Sequence, residues 1–227
     1  MKVIHKVVVG SRLHGLAKEN SDYDYRGVFM HPLHDILNPF KKVKTTSWIE
    51  DDIDDTSYEL AQFCKTATHG NPTILEVLWS NQIIETSDIG KELVANKHKF
   101  LHSKRIFDAH RGYAYNQYKK MNLFSPDERT PKFAVAYCRS LIQGISLLET
   151  GDFNPQIADE WKGFLMEVKY NWTPAMVPTL GKKFAQLEVD IANAYFKNSS
   201  KFKPDYDWIA DFVYRSYVKE MKNETVR

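Results

Sequence analysis

The sequence predicts an α+β fold: a small mixed β-sheet with helices first, followed by an all-helical C-terminal part. Three observations point there. β-branched and alternating segments crowd into the first part of the chain. No strand pattern occurs from about residue 88 onward. Downstream segments instead repeat apolar residues every three or four positions, the period of a helix with one buried face. The change of pattern sets a boundary near residues 80–90.

The elements follow in order. Residues 3–10 form a β-branched run closed by glycine, which reads as a central strand. Residues 12–19 allow about two turns of helix, and Asn20-Ser21 marks a turn. In residues 22–30 polar and apolar side chains alternate at first, as in a strand. Residues 31–46, with Pro32, Pro39 and several lysines, read as loop with one turn of helix. Residues 45–50 and 54–58 read as two strands joined by the acidic turn Asp51-Asp52. Leu60, Phe63, Cys64 and Ala67 then fall at helical spacing, and Gly70 ends that helix. Asn71-Pro72 opens the next one, because Asn caps well and Pro fits the first helical position. Further helices are predicted over 104–124, 131–150, 156–169, 181–197 and 205–221. The 131–150 helix is the clearest, with Ala134, Val135, Cys138, Leu141, Ile142, Ile145 and Leu148 in phase and Gly151 as its stop.

Bulk composition excludes several classes. With 227 residues the chain suffices for one large domain or two small ones. Its net charge of +2 permits a polyanionic partner without arguing for one. Cys64 and Cys138 lie far apart on apolar helical faces, so they read as buried thiols of a cytoplasmic protein, not a disulfide or metal knuckle. The first apolar run, Val7-Val8-Val9, is too short for a cleavable signal. No stretch nears the ~18 apolar residues of a membrane span. His98, His102 and His110 lack metal-ligand spacing.

The chemistry concentrates in Gly10-Ser11-Arg12-Leu13-His14-Gly15 and Ser21-Asp22-Tyr23-Asp24. A strand that ends in Gly-Ser and enters a helix presents backbone N–H groups and a hydroxyl to an anion. On a strand, Asp22 and Asp24 project to one face with Cα atoms roughly 7 Å apart. Two such carboxylates repel unless a cation joins them, and Mg²⁺ suits a few carboxylates plus substrate phosphates. A third acid belongs on the neighbouring strand, with Asp51, Asp52, Asp54, Asp55 and Glu59 as candidates. Periodicity does not choose among them.

Gly10-Ser11, Gly15 and Ser21-Asp22-Tyr23-Asp24 resemble the signature of the DNA polymerase beta-type nucleotidyltransferase superfamily. The wider string resembles one branch of it: the predicted nucleotidyltransferases associated with RNA repair operons, frequent also in phages. Tyr58-Glu59-Leu60, the run Gly70 to Trp79, and Lys132 with Arg139 in the long helix resemble the same branch, so the likeness covers roughly residues 3–151. With the boundary set by the element order, the resemblance makes residues 1–85 a nucleotidyltransferase core; the helical domain over 86–227 is expected to pack on the core and close the cleft, and the last third of the chain matches nothing in the branch. The resemblance implies Mg²⁺ (or Mn²⁺) on Asp22 and Asp24, Ser11 at the triphosphate, and a third ligand four residues before Tyr58, which is Asp54. Two departures stand out. Asp55 occupies a position where an apolar strand residue is expected, so Asp54 and Asp55 both stay open. Ala61-Gln62 replaces a common basic pair.

Lys132, Ala136, Arg139 and Gln143 share one stripe of the long helix, opposite its apolar face. That stripe is either a solvated polar face or a cleft wall whose Lys132 and Arg139 bind phosphates. Arg12 and Arg26 are further phosphate candidates, and Arg26 can instead pair with the acids. Asn71 reads as a helix cap and Glu76 as structural. The expected activity is transfer of a nucleoside monophosphate from an NTP to a hydroxyl, with an RNA 3′ end the favoured acceptor and pyrophosphate released. The alternatives are a non-catalytic nucleotide-binding or partner-binding module, or a toxin-like enzyme that nucleotidylates a protein or small molecule. No membrane partner is expected.

Overall fold

The computed structural model describes residues 1–50, 54–121 and 129–225. Five strands form one sheet in the order β3-β4-β2-β1-β5. They are β1 (Lys2–Val9), β2 (Asp24–Met30), β3 (Thr46–Glu50), β4 (Asp54–Glu59) and β5 (Ile83–Thr86). β2 and β4 run parallel; the other pairs are antiparallel. The mixed sheet followed by helices is the α+β fold the pattern predicts. β1 lies inside the sheet, flanked by β2 and β5. Ile4, Val7, Val8 and Val9 are buried there, which is why the run is β-branched and continuous.

The short helices bind the sheet's rim. α1 (Gly10–Leu13) is a single turn. The two turns predicted over 12–19 do not form, because the backbone turns left-handed at Gly15 (φ +69°). α2 (Leu33–Ile36) is the one turn expected between β2 and β3. The predicted Asp51-Asp52 turn lies outside the described residues. α3 (Leu60–Ala67) starts at Glu59, whose carboxylate accepts from the amides of Ala61 (2.9 Å) and Gln62 (3.0 Å). α4 (Pro72–Trp79) is capped by Asn71, which accepts from the Thr73 amide at 3.0 Å.

β5 is absent from the sequence pattern. Its four residues are largely exposed and show no inward-outward alternation, so nothing in them signals a strand. The boundary expected at residue 85 therefore falls inside a strand of the sheet. α5 (Asp88–Ala95) returns onto β1.

The helical part comprises α6 (Ser103–Lys120), α7 (Thr130–Thr150), α8 (Asp159–Tyr170), α9 (Val177–Asn198) and α10 (Tyr206–Thr225). Residues 122–124 of the predicted 104–124 helix lie outside the described residues. α7 is the hub, packed against α6, α8 and α9. α10 reaches back to the sheet side, where the Tyr217 hydroxyl donates to the Glu59 carboxylate that caps α3. Buried side chains form one apolar cluster from Val7 and Leu60 through Leu141 to Phe212, so sheet and helices share a core. Cys64 and Cys138 are free and buried within it, as their helical faces predict. Among the described residues no helix is long and apolar enough to cross a membrane.

Candidate active site

The site begins where β1 meets α1. Gly10 has φ +67°, and a Cβ built on it would lie 2.0 Å from Asp24 Oδ2. Only a glycine lets the carboxylate lie against that backbone. A Gly10→Ala change is expected to cost about 1–3 kcal/mol through the strained φ and the steric clash, seen as a lower melting temperature.

Val9 pairs with Asp24 in the β1–β2 register, which puts the end of one strand beside the start of the other. β2 opens at Asp24, so Asp22 is not on a strand as its alternation with Asp24 suggests; it sits in the preceding loop. The two carboxylates nonetheless share a side. Both line one cleft of about 490 Å³ with Gly10, Ser11 and Ser21. Tyr23 and Tyr25 face away from it and stack on each other, ring centroids 6.1 Å apart.

The register separates Asp54 from Asp55. β2 and β4 run parallel with Tyr25 opposite Asp55 and Arg26 opposite Thr56. Asp55 thus points to the Tyr25 face, where it accepts from Lys6 Nζ at 2.5 Å. Asp54 belongs to the Asp24 face. Burial raises the Asp24 carboxyl above the usual carboxylate range, and the charges of Asp54 and then Asp22 push it further, against Arg26 and Lys132. The three acids therefore act on one another electrostatically. No group of three metal-ligating side chains among the described residues is gathered closely enough to hold an ion. The donor chemistry, all carboxylate oxygen under mutual repulsion, fits a hard divalent cation.

α7 forms the opposite wall. Pro131, Lys132, Val135, Ala136 and Arg139 line the cleft from this helix. Lys132 is exposed and makes no ion pair among the described residues. Arg139 is differently placed: it pairs with the buried Glu76 carboxylate and donates to His14 Nε2 at 2.5 Å. His14 Nδ1 donates to the Pro155 carbonyl at 2.7 Å. Burial, with Arg139 beside it, lowers the His14 imidazole, against the opposite pull of Glu76. Burial would raise Glu76, but Arg139, then His14, whose Nε2 lies 3.3 Å from Glu76 Oε1, and then Arg26 outweigh it and hold the carboxyl well below the usual range. Arg26 Nη1 lies 3.6 Å from Glu76 Oε2. The 132–143 stripe is thus a cleft wall at Lys132 and a buried network at Arg139 and Gln143, not a solvated face.

Arg12 turns from the cleft into its own loop. It donates to the carbonyls of Ser21 (3.1 Å) and Glu19 (3.0 Å), with its guanidinium 3.8 Å from the Tyr23 ring. Of the residues singled out from the sequence, the structure brings Gly10, Ser11, Asp22, Asp24, Lys132 and Arg139 to one cleft. Asp54 and Arg26 reach Asp24 electrostatically from outside its lining. Sequence reasoning missed Tyr113 and Gln117 of α6, and Lys169 and Tyr170 of α8, which also line the cleft. They come from helices whose apolar spacing says where they bury, not what their far ends approach.

The protein belongs to the RNA repair pathway DNA polymerase beta family, whose profile matches residues 1–169. It is also 33% identical over 98 residues to an uncharacterized 38.9 kDa protein of the nrdC–mobD intergenic region of Enterobacteria phage T4. That match covers 39% of this chain and 29% of the phage protein, so the chain spans under a third of this curated relative's length.

Proposed function

We propose that the protein is a metal-dependent nucleotidyltransferase that moves a nucleoside monophosphate from an NTP to a hydroxyl, an RNA 3′ end being the favoured acceptor. The observation behind this reading is the placement of Asp22 and Asp24 in one cleft with the Gly10-Ser11 turn, coupled to Asp54 across the sheet. The family's RNA repair description supports an RNA acceptor.

In this reading Gly10 and Ser11 receive the polyphosphate and Lys132 neutralises it from the opposite wall. Arg139 and Arg26 shape the site through Glu76, and Arg12 through the loop. Asp22 and Asp24 would hold Mg²⁺ or Mn²⁺, with Asp54 drawn in from β4 as third ligand on binding, and the ion would supply charge neutralisation at the transferring phosphate and make the acceptor hydroxyl more acidic. The acceptor oxygen bonds to the α-phosphorus in line, the bond to the β-phosphate oxygen breaks, and pyrophosphate leaves with that electron pair. The hydroxyl proton passes to solvent or a nearby carboxylate.

The test is incubation with each α-labelled NTP, Mg²⁺ or Mn²⁺, and total RNA or protein, followed by gel separation. Label in RNA is expected. Label in protein would move the acceptor to the toxin-like alternative. Nucleotide-dependent thermal stabilisation without pyrophosphate release would leave a binding module. The third ligand is tested separately. Asp54→Asn is expected to lower transfer by about a hundredfold or more. Asp55→Asn removes only the Lys6 pair, costs up to about 1 kcal/mol of stability, and leaves the rate within about twofold.

A further inference from the structure

Asp22 makes no hydrogen bond or ion pair of its own among the described residues, so its neighbours set its position. It lies in the stretch from Gly15 to Tyr23, which has no helix or strand. Inside that stretch the Lys18 amide donates to Ser21 Oγ at 2.9 Å, and the Ser21 amide to the Lys18 carbonyl at 3.1 Å. Arg12 grips its far end, as described. Its near end is held from the helical part, at the C-terminus of α8. Lys169 Nζ donates to the Leu16 carbonyl at 2.8 Å, and the Tyr170 hydroxyl donates to the same carbonyl at 2.9 Å. Lys18 Nζ lies 4.0 Å from the Tyr170 ring centroid. The Ile157 amide donates to the His14 carbonyl two residues earlier, at 3.3 Å.

Two side-chain donors from one end of α8 thus fill both lone pairs of a single loop carbonyl. Their effect is specific. Asp22 and Asp24 repel, and a loose loop would relax by swinging Asp22 outward; a cation would then have to bear the cost of recalling it. We infer that Lys169 and Tyr170 are positioning residues: through the Leu16 carbonyl they hold the Asp22 loop beside Asp24, so that α8 sets the cleft's affinity for a divalent cation. This rests on the reading of Asp22 and Asp24 as cation ligands.

The test uses the full chain without nucleotide. Tyr170→Phe keeps the ring for Lys18 and removes the donor, and Lys169→Met removes the other. Mn²⁺ binding, followed by the loss of the free-ion paramagnetic signal, is expected to weaken about fivefold to tenfold in each, the effect of one lost hydrogen bond. Amide exchange over residues 16–22 should quicken by a similar factor, while the rest of the chain keeps its protection. Excess Mn²⁺ should restore transfer, which a merely structural defect would not allow. Unchanged Mn²⁺ affinity in both variants overturns the inference, whatever the exchange shows. A wild-type protein that binds Mn²⁺, loses affinity in the variants and yet transfers no nucleotide sustains the clamp and sinks the proposed activity. Transfer by the wild type with no change of Mn²⁺ affinity in the variants does the reverse.

Discussion

Replacing Asp22 and Asp24 together by Asn is expected to give a folded protein whose nucleotide transfer falls by at least about a thousandfold, since both proposed cation ligands in the cleft are lost. Folding should survive because neither side chain supports the core. Asp22 is exposed, and Asp24 lies at the strand's first position against Gly10. Stability should move the other way. A carboxyl whose folded pKa is raised contributes stability that is complete below its unfolded pKa and lost as pH rises through the folded one. Asp24 is such a group, with burial and the Asp54 charge as its main causes. At neutral pH its ionisation therefore works against the fold, and the double variant should melt at or above the wild-type temperature. Added Mg²⁺ should raise the wild-type melting point by linkage and leave the variant's unchanged. Thermal melts with and without Mg²⁺, beside a transfer assay, check both halves.

Arg139→Met should do the opposite: a large loss of stability from a residue at the cleft's edge. Glu76 has a side-chain exposure of 2%, and Arg139 is its nearest cationic partner. Removing one member of a buried pair leaves an uncompensated charge, a change that costs about 3–5 kcal/mol. Glu76→Gln combined with Arg139→Met should recover part of that loss, because the buried carboxylate is gone and Arg26, which also loses Glu76, keeps Asp24 as an opposite charge. The pH dependence fixes the sign. Glu76 has a depressed folded pKa, so its contribution is present above its unfolded value and lost as pH falls through the folded one. The deficit of Arg139→Met should thus be largest near neutrality and shrink in acid, where Glu76 takes up a proton in the variant. Denaturant titrations at several pH values measure it.

What could be read from the residues, and what could not, follows the range of the interactions. Asn71-Pro72, the β-branched run before Gly10, and the apolar period of α7 are local signals, and each produced the element it predicts. Asp22 and Asp24 were legible as a pair because strand-like alternation survives at Tyr23, although the strand itself starts at Asp24. Asp54 against Asp55 was not legible: both belong to one strand, and only pairing with β2 assigns their faces. Arg139 shows the same limit. Its helical stripe looks polar, but its partners Glu76 and His14 stand 63 and 125 residues away. β5 was missed because an exposed edge strand of four residues obeys no burial pattern. Lys169 and Tyr170 were missed because they act on a backbone carbonyl, which no side-chain motif records.

In the proposed mechanism a divalent ion joins the two carboxylates beside the turn after β1. A crystal of the chain grown with Mn²⁺ and a non-hydrolysable NTP analogue, with the ion located by its anomalous scattering, measures this directly. A peak is expected within bonding distance of both Asp22 and Asp24, with the analogue's phosphates over Gly10 and Ser11. A metal peak elsewhere, with these two side chains left unligated, would contradict that mechanism.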